Sequence, residues 1–148
     1  MAKVIRADAQ DLIPIRALLE RSGLPTSDLD SARPDFAVIR ENGQVIAAGA
    51  LQRFGSSALL RSVVVAPEHR GRGLGRAIVG ELERAARTAQ VRELVLLTQS
   101  AADFFARAGY RVIERSSAPH DMQGSEEFRS LCPSSATCMA KSLTDSPG

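Results

Sequence analysis

Tryptophan is absent from this 148-residue chain, tyrosine occurs once, and aromatic residues make up only 4% of it. Surfaces that stack bases need aromatics interleaved with basic residues, and no such block exists, so nucleic-acid binding is set aside. A charge of one sign is lacking as well: 19 Lys and Arg stand against 17 Asp and Glu, leaving +2. Cysteine is limited to two residues, Cys132 and Cys138. Two thiols do not make a disulfide framework in a chain of this length, and reduced cysteines are expected. No run of about 18 apolar residues is present to cross a bilayer, and the N-terminus has no apolar signal-type core. With 44% apolar residues the chain has enough material for one sizeable core. The expectation is a soluble cytoplasmic domain over residues 1–143, followed by a disordered tail at 144–148.

What is present reads as an alternation of strands and helices. Val4-Ile5 is a short strand. Leu12, Ile15, Leu18 and Leu19 recur at helical spacing, with Asp11 as N-cap, Pro14 in the first turn and Gly23 as the stop. Residues 24–33 form a loop or short helix. Phe36–Ile39 and Val45–Leu51 are strands joined at Asn42-Gly43, a strong hairpin signal. Strands at Ala58–Val65 and Leu94–Leu97, helices at Leu74–Arg87 and Ser100–Arg107, and closing strands at Tyr110–Glu114 and Thr137–Lys141 complete the order. The class is α/β, a mixed central sheet of about six or seven strands flanked by helices. Its two parallel strands, 59–65 and 94–98, are expected to splay apart.

The most informative stretch is Val63-Val64-Val65-Ala66-Pro67-Glu68-His69-Arg70-Gly71-Arg72-Gly73-Leu74-Gly75-Arg76. A buried strand stops at Pro67, a basic glycine-rich turn follows, and an amphipathic helix begins. That order leaves free N–H groups at a helix N-terminus, where the helix dipole favours an anion. Glycines allow close approach of a phosphate, and Arg70, Arg72 and Arg76 add cationic reach. A Walker A loop would need Lys-Ser/Thr after Gly75, where Arg76-Ala77 stand. The dinucleotide fingerprint begun at Gly71 and Gly73 would need glycine at position 76, which is arginine. The turn is a pyrophosphate cradle of another kind.

Arg70-x-x-Gly73-x-Gly75 after a strand ending in x-Pro closely resembles motif A of the GNAT N-acetyltransferases, and Phe104-Phe105-Ala106-Arg107-Ala108-Gly109-Tyr110 resembles their motif B. The likeness covers residues 2 to 143 and implies a GNAT fold whose splayed strands admit the pantetheine arm of acetyl-CoA. It implies that Val63, Val64 and Val65 contact the cofactor through their backbone, that residues 70–76, Leu74 included, hold its pyrophosphate, and that Phe104 lies against it. The superfamily's usual acid is a tyrosine where this chain has Phe105, which has no proton to give. Tyr110 falls where the family places a packing aromatic. Water, or Ser100 through a short network, is then the expected source of the thiolate's proton.

Residues 118–139 form a long connection whose Leu131-Cys132-Pro133-x-Ser-Ala136-x-Cys138-Met139 ending resembles a GNAT subgroup linked to arsenic resistance. Leu60-Arg61-Ser62 and Leu97-Thr98-Gln99 resemble the glutamate N-acetyltransferases. Both likenesses imply an acceptor that is a small acidic amino acid or an arsenic- or phosphorus-containing mimic of one. Arg61 sits in an otherwise apolar strand and must meet an anion, either an internal carboxylate or that of the acceptor. Arg61, Ser62, Thr98 and Arg129 are therefore the candidate substrate residues, and Ser100 and His120 the candidate catalytic ones. The two cysteines are either structural or ligands for a soft metalloid; no metal site is assigned. A protein or peptide N-acetyltransferase and a non-catalytic metalloid sensor are the competing readings. The expected partner is a small amine, with a homodimer left open.

Overall fold

The computed structural model describes residues 3–144. Asn42 and Gly43 take φ of +53° and +77°, a two-residue turn of the type whose twist suits a hairpin. It joins β2 (Asp35–Glu41) to β3 (Gln44–Phe54). β1 (Val4–Arg6) flanks β2 and β4 (Ser57–Val65) flanks β3, all antiparallel. β5 (Glu93–Thr98) lies parallel to β4, and β7 (Thr137–Ser142) runs antiparallel between β5 and β6 (Arg111–Val112). The seven strands stand in the order β1-β2-β3-β4-β5-β7-β6. This is the mixed, helix-flanked sheet that the sequence pattern predicts.

Strand alternation sends successive side chains to opposite faces. Ala37, Ile39 and Ala47 join one apolar cluster with Ile78, Val79 and Leu82 of α3 (Leu74–Thr88). Phe105 of α4 (Ala102–Arg107) and Tyr110 close the same layer. Phe36, Val38, Ala48 and Ala50 face the other way, onto Ile15, Leu18 and Leu19 of α1 (Leu12–Arg21). Beside α1, Met122 and Phe128 cover Leu59, Val95, Cys138 and Ala140. Gly49 is required by close approach, because a Cβ there would stand 2.6 Å from Cγ2 of Ile78.

Several expectations are corrected locally. Asp11 precedes α1 but its carboxylate makes no cap bond to that helix. It accepts instead from the Asp8 N–H, as half of a capping box around a 3₁₀ turn at Ala9–Asp11, and from Arg40. Residues 24–33 contain a single helical turn, α2 (Leu29–Ala32). α4 begins at Ala102 rather than at Ser100, since Thr98 Oγ1 takes the Ala101 N–H at 3.0 Å in the turn ahead of it. The strand expected at 110–114 shortens to Arg111–Val112, because Tyr110 is drawn into the core and a 3₁₀ turn opens at Arg115. The long connection is built rather than open: that 3₁₀ turn (Arg115–Ser117), α5 (His120–Gln123) and a π-helical turn (Glu127–Leu131) follow one another. Of the expected tail, residues 145–148 lie outside the described residues.

Candidate active site

β4 and β5 pair at only three positions, Ser57 with Glu93, Ala58 with Leu94 and Leu59 with Val95. Beyond Leu59 they part, and a cavity of about 880 Å³ opens between residues 60–65 of β4 and residues 96–98 of β5. β4 is bent on its other side as well. Its pairing with β3 jumps from Val64 opposite Ala48 to Arg61 opposite Ala50. Ser62, one of the residues looped out by this bulge, takes φ of +58°. That left-handed conformation is uncommon for a non-glycine residue, and such strain concentrates at functional sites.

The cradle residues line the same cavity. Gly73 is the N-cap of α3 at φ +77°, and Gly71 has φ +82°. Among the described residues, no hydrogen bond has the N–H of any residue from 71 to 76 as donor. A 15-residue helix therefore presents a consecutive row of free donors at its positive end. Arg70 and Arg76 line the cavity, and among the described residues neither has an ion-pair partner. Gly75 also lines it, and a Cβ at this position would lie 3.4 Å from the Phe104 ring. Val63, Val65 and Phe104 border the gap, while the Val64 side chain is core against α1. The Arg72 guanidinium does not line the cavity: Nη2 donates to Glu41 Oε2 at 2.8 Å, which ties the cradle loop to the β2–β3 hairpin, while its backbone N–H stays in the free row.

At the other end stands Arg61, whose side chain is fully buried. Nη1 and Nη2 donate to Asp28 Oδ2 and Oδ1 at 2.5 and 2.7 Å, Nη1 also to Gln52 Oε1 at 3.0 Å, and Nε to Ser62 Oγ at 3.1 Å. Glu127 Oε1 lies 3.3 Å from Nη2. Burial works against the guanidinium charge, but the Asp28 hydrogen bonds and the Glu127 carboxylate outweigh it and hold its pKa above the ordinary arginine value. Arg61 thus meets the anion that physics demands, and it is internal.

Thr98 and Ser100 line the cavity, as does Ser62. His120 and Arg129 do not; both are exposed, because α5 and the π turn direct Met122, Glu127 and Phe128 inward. Phe105 lines the gap where a tyrosine acid was expected to be missing. The lone tyrosine stands behind it: Tyr110 is buried, its ring packs edge-on against Phe105, and its hydroxyl donates to Glu83 Oε2 at 2.8 Å. Burial and the Glu83 charge push its pKa up, so it keeps its proton and packs.

Residues not assigned from the sequence complete the walls: Ser22, Leu24 and Pro25 after α1, His69 at the cradle, and Glu127 with Cys132 from the long connection. Cys132 donates from Sγ to Glu127 Oε2 at 3.4 Å, and burial, then Glu127, push its thiol up to about 12. Cys138 is buried in the β7 core. Among the described residues no group of three or more His, Cys, Asp or Glu is placed to hold a metal ion. The signal for Glu127 was indirect: an arginine in an apolar strand announces a carboxylate without saying which.

Comparisons with known proteins agree with this geometry. The family model for the acetyltransferase (GNAT) domain matches residues 32–112. An uncharacterised N-acetyltransferase of Chlorobaculum tepidum is 36% identical over 86 residues, 57% of this chain and 55% of that protein. An amino-acid acetyltransferase of Mycobacterium tuberculosis is 40% identical over 73 residues, 49% of this chain and 41% of that one. The chain thus spans about half the length of the curated relatives it matches. Among solved structures, a Mycobacterium tuberculosis protein in complex with CoA and NLQ superposes with a TM-score of 0.82 at 28% identity, covering 96% of this chain and 99% of that one. With its parted parallel strands, free-amide cradle and matching family model, this chain belongs to the GNAT acetyltransferase family.

Proposed function

We propose that the protein transfers an acetyl group from acetyl-CoA to the primary amine of a small amino acid. The observation that carries this reading is the gap beginning at Leu60, which leads from the unpaired edge of β4 to the free amides of residues 71–76. Those amides, with Arg70 and Arg76, would hold the pyrophosphate. The exposed polar backbone of residues 63–65 would bind the pantetheine arm and orient the thioester. Acetyl-CoA supplies the acetyl group as a thioester. Ser100 borders the gap and is the candidate source of a proton for the departing thiolate; Phe105 cannot be one.

An amino-acid acceptor is favoured by the likeness to the mycobacterial amino-acid acetyltransferase. The narrower reading, a glutamate-like acid or an arsenic- or phosphorus-containing mimic, needs a cation for the extra acid group. Arg61 serves that role only if the acceptor displaces Asp28 or Glu127 from it.

Calorimetric titration with acetyl-CoA, followed by thiol-release assays with a panel of amino acids, tests the proposal. Gly73→Val forces a β-branched residue to φ +77° and should weaken acetyl-CoA binding about tenfold or more, since left-handed backbone costs roughly 1–2 kcal/mol outside glycine. Equal affinity in the variant and the parent would remove the cradle assignment.

A further inference from the structure

We propose that Glu127 takes the proton from the acceptor's ammonium group, an assignment that rests on the acetyl-transfer reading above. Among the described residues lining the cavity, Glu127 is the only carboxylate and His69 the only imidazole. The two stand at opposite ends. His69 belongs to the cradle, with Nδ1 2.8 Å from Arg72 Nη1. Glu127 stands beside Arg61, four residues back along β4 from Val65, which is about 13 Å of strand at ~3.3 Å per residue. A cofactor with its phosphates at the cradle and its arm along β4 brings its reactive end toward Glu127 and away from His69.

The carboxylate is held without being used up. Oε1 faces Arg61 Nη2 at 3.3 Å and Oε2 accepts from Cys132 Sγ at 3.4 Å, so each oxygen keeps a free lone pair. Asp28 already engages both terminal nitrogens of Arg61. One cation therefore faces two carboxylates, and the ionised cluster carries a surplus negative charge suited to an ammonium ion. The π turn sets the geometry: the Cys132 N–H reaches back to the Glu127 carbonyl at 3.1 Å, stacking the two side chains over the gap. The groups facing Glu127 are Arg61 on β4, Asp28 ahead of α2 and Cys132 on its own turn, while Arg115 binds the Phe128 and Pro133 carbonyls behind it. Burial raises the Glu127 pKa and Arg61 opposes the rise, which moves a carboxylate toward the range where a base works near neutral pH.

In the step itself one ammonium proton passes to a Glu127 oxygen. The freed nitrogen lone pair bonds the thioester carbonyl carbon, and the C–S bond breaks with its electron pair leaving on sulfur. The second amine proton ends on that sulfur, and Glu127 returns its own to solvent.

Glu127→Gln keeps the size and an acceptor oxygen for Arg61, turns an NH2 toward Cys132 Sγ, and cannot take a proton. With L-glutamate, L-glutamine or L-lysine as acceptor, whichever the wild type acetylates, kcat/KM at pH 7 should fall about 10²- to 10⁴-fold. Calorimetry should show an unchanged acetyl-CoA Kd. The deficit should shrink about tenfold per pH unit toward the amine's own pKa, where free amine no longer needs a base. Glu127→Asp keeps the charge for Arg61 and should lower kcat at least about tenfold while retaining the wild-type pH profile, which guards against a folding defect in the first variant. A Glu127→Gln deficit that is under about threefold, or that stays constant with pH, overturns the assignment. A wild type that releases no CoA thiol with any of the three amines overturns the acetyl-transfer reading instead, and that result needs no variant to recognise.

Discussion

Arg61 shows how a single side chain can be read correctly while its partner stays open. Its apolar neighbours on β4 state that the charge must be matched, yet Asp28 stands 33 residues away and Glu127 in the other half of the chain. Local sequence cannot choose between these carboxylates and one brought by a substrate; tertiary folding does. Because the pair is buried, Arg61→Ala strands two carboxylates, and breaking such a pair costs about 3–5 kcal/mol. In a chain of this size a kilocalorie moves Tm by roughly 2–4 °C, so thermal denaturation should show a fall on the order of 10 °C. Acetyl-CoA affinity should change little, since the cradle is built from other residues. A variant that keeps its Tm but loses acceptor KM would restore the view of Arg61 as a free clamp. By contrast the backbone of the glycine turn was legible, because glycine φ, a proline stop and a helix start are local properties. The Arg72 ion pair was not legible, because its partner, Glu41, comes from a distant hairpin.

Elements were legible in proportion to their length. α3 and the β2–β3 hairpin follow from periodicity and from Asn42-Gly43, whereas the turns between residues 115 and 131 are too short to show a period. Those turns exist because Met122 and Phe128 find Leu59 and Val95, a contact no local pattern announces. Their missed geometry explains why His120 and Arg129 were put in the site while Glu127, two residues before Arg129, was not. Helix and strand also meet tightly at Gly49, under Ile78 and Leu82 of α3. Gly49→Ala would put a methyl 2.6 Å from Ile78 Cγ2, and overpacking of this kind costs about 1–3 kcal/mol. Since α3 carries the cradle at its first turn, the shift should lower Tm and acetyl-CoA affinity together. Differential scanning fluorimetry and calorimetry on the same sample would show whether the two losses travel as a pair.

On the scale of the whole molecule, the Arg61 cluster joins parts that are otherwise separate. Asp28 belongs to the connection between α1 and α2, Glu127 to the one between β6 and β7, and both connections flank the cavity. Their shared anchor predicts shared dynamics. In Arg61→Ala, amide hydrogen exchange should accelerate at residues 28–33 and 127–132 alike, with the Ala32 and Cys132 N–H groups as reporters and α3 unaffected. Acceleration on one side alone would mean that the flanks are held independently. No helix of the described residues is long and apolar enough to cross a membrane.

The parting of β4 and β5 has a further consequence for how the molecule lives without a ligand. Unclaimed strand backbone at the rim of a sheet is a template for pairing with another chain, and proteins blunt such rims at some cost. Here the unclaimed rungs lie in the middle, with β3 bonded to the far side of β4 and β7 to the far side of β5. A stranger's strand would have to thread between two fixed neighbours to reach them, while a slender flexible chain can slide in lengthwise. The seam therefore discriminates by cross-section before any side chain is consulted, and the fold can leave it open without inviting aggregation.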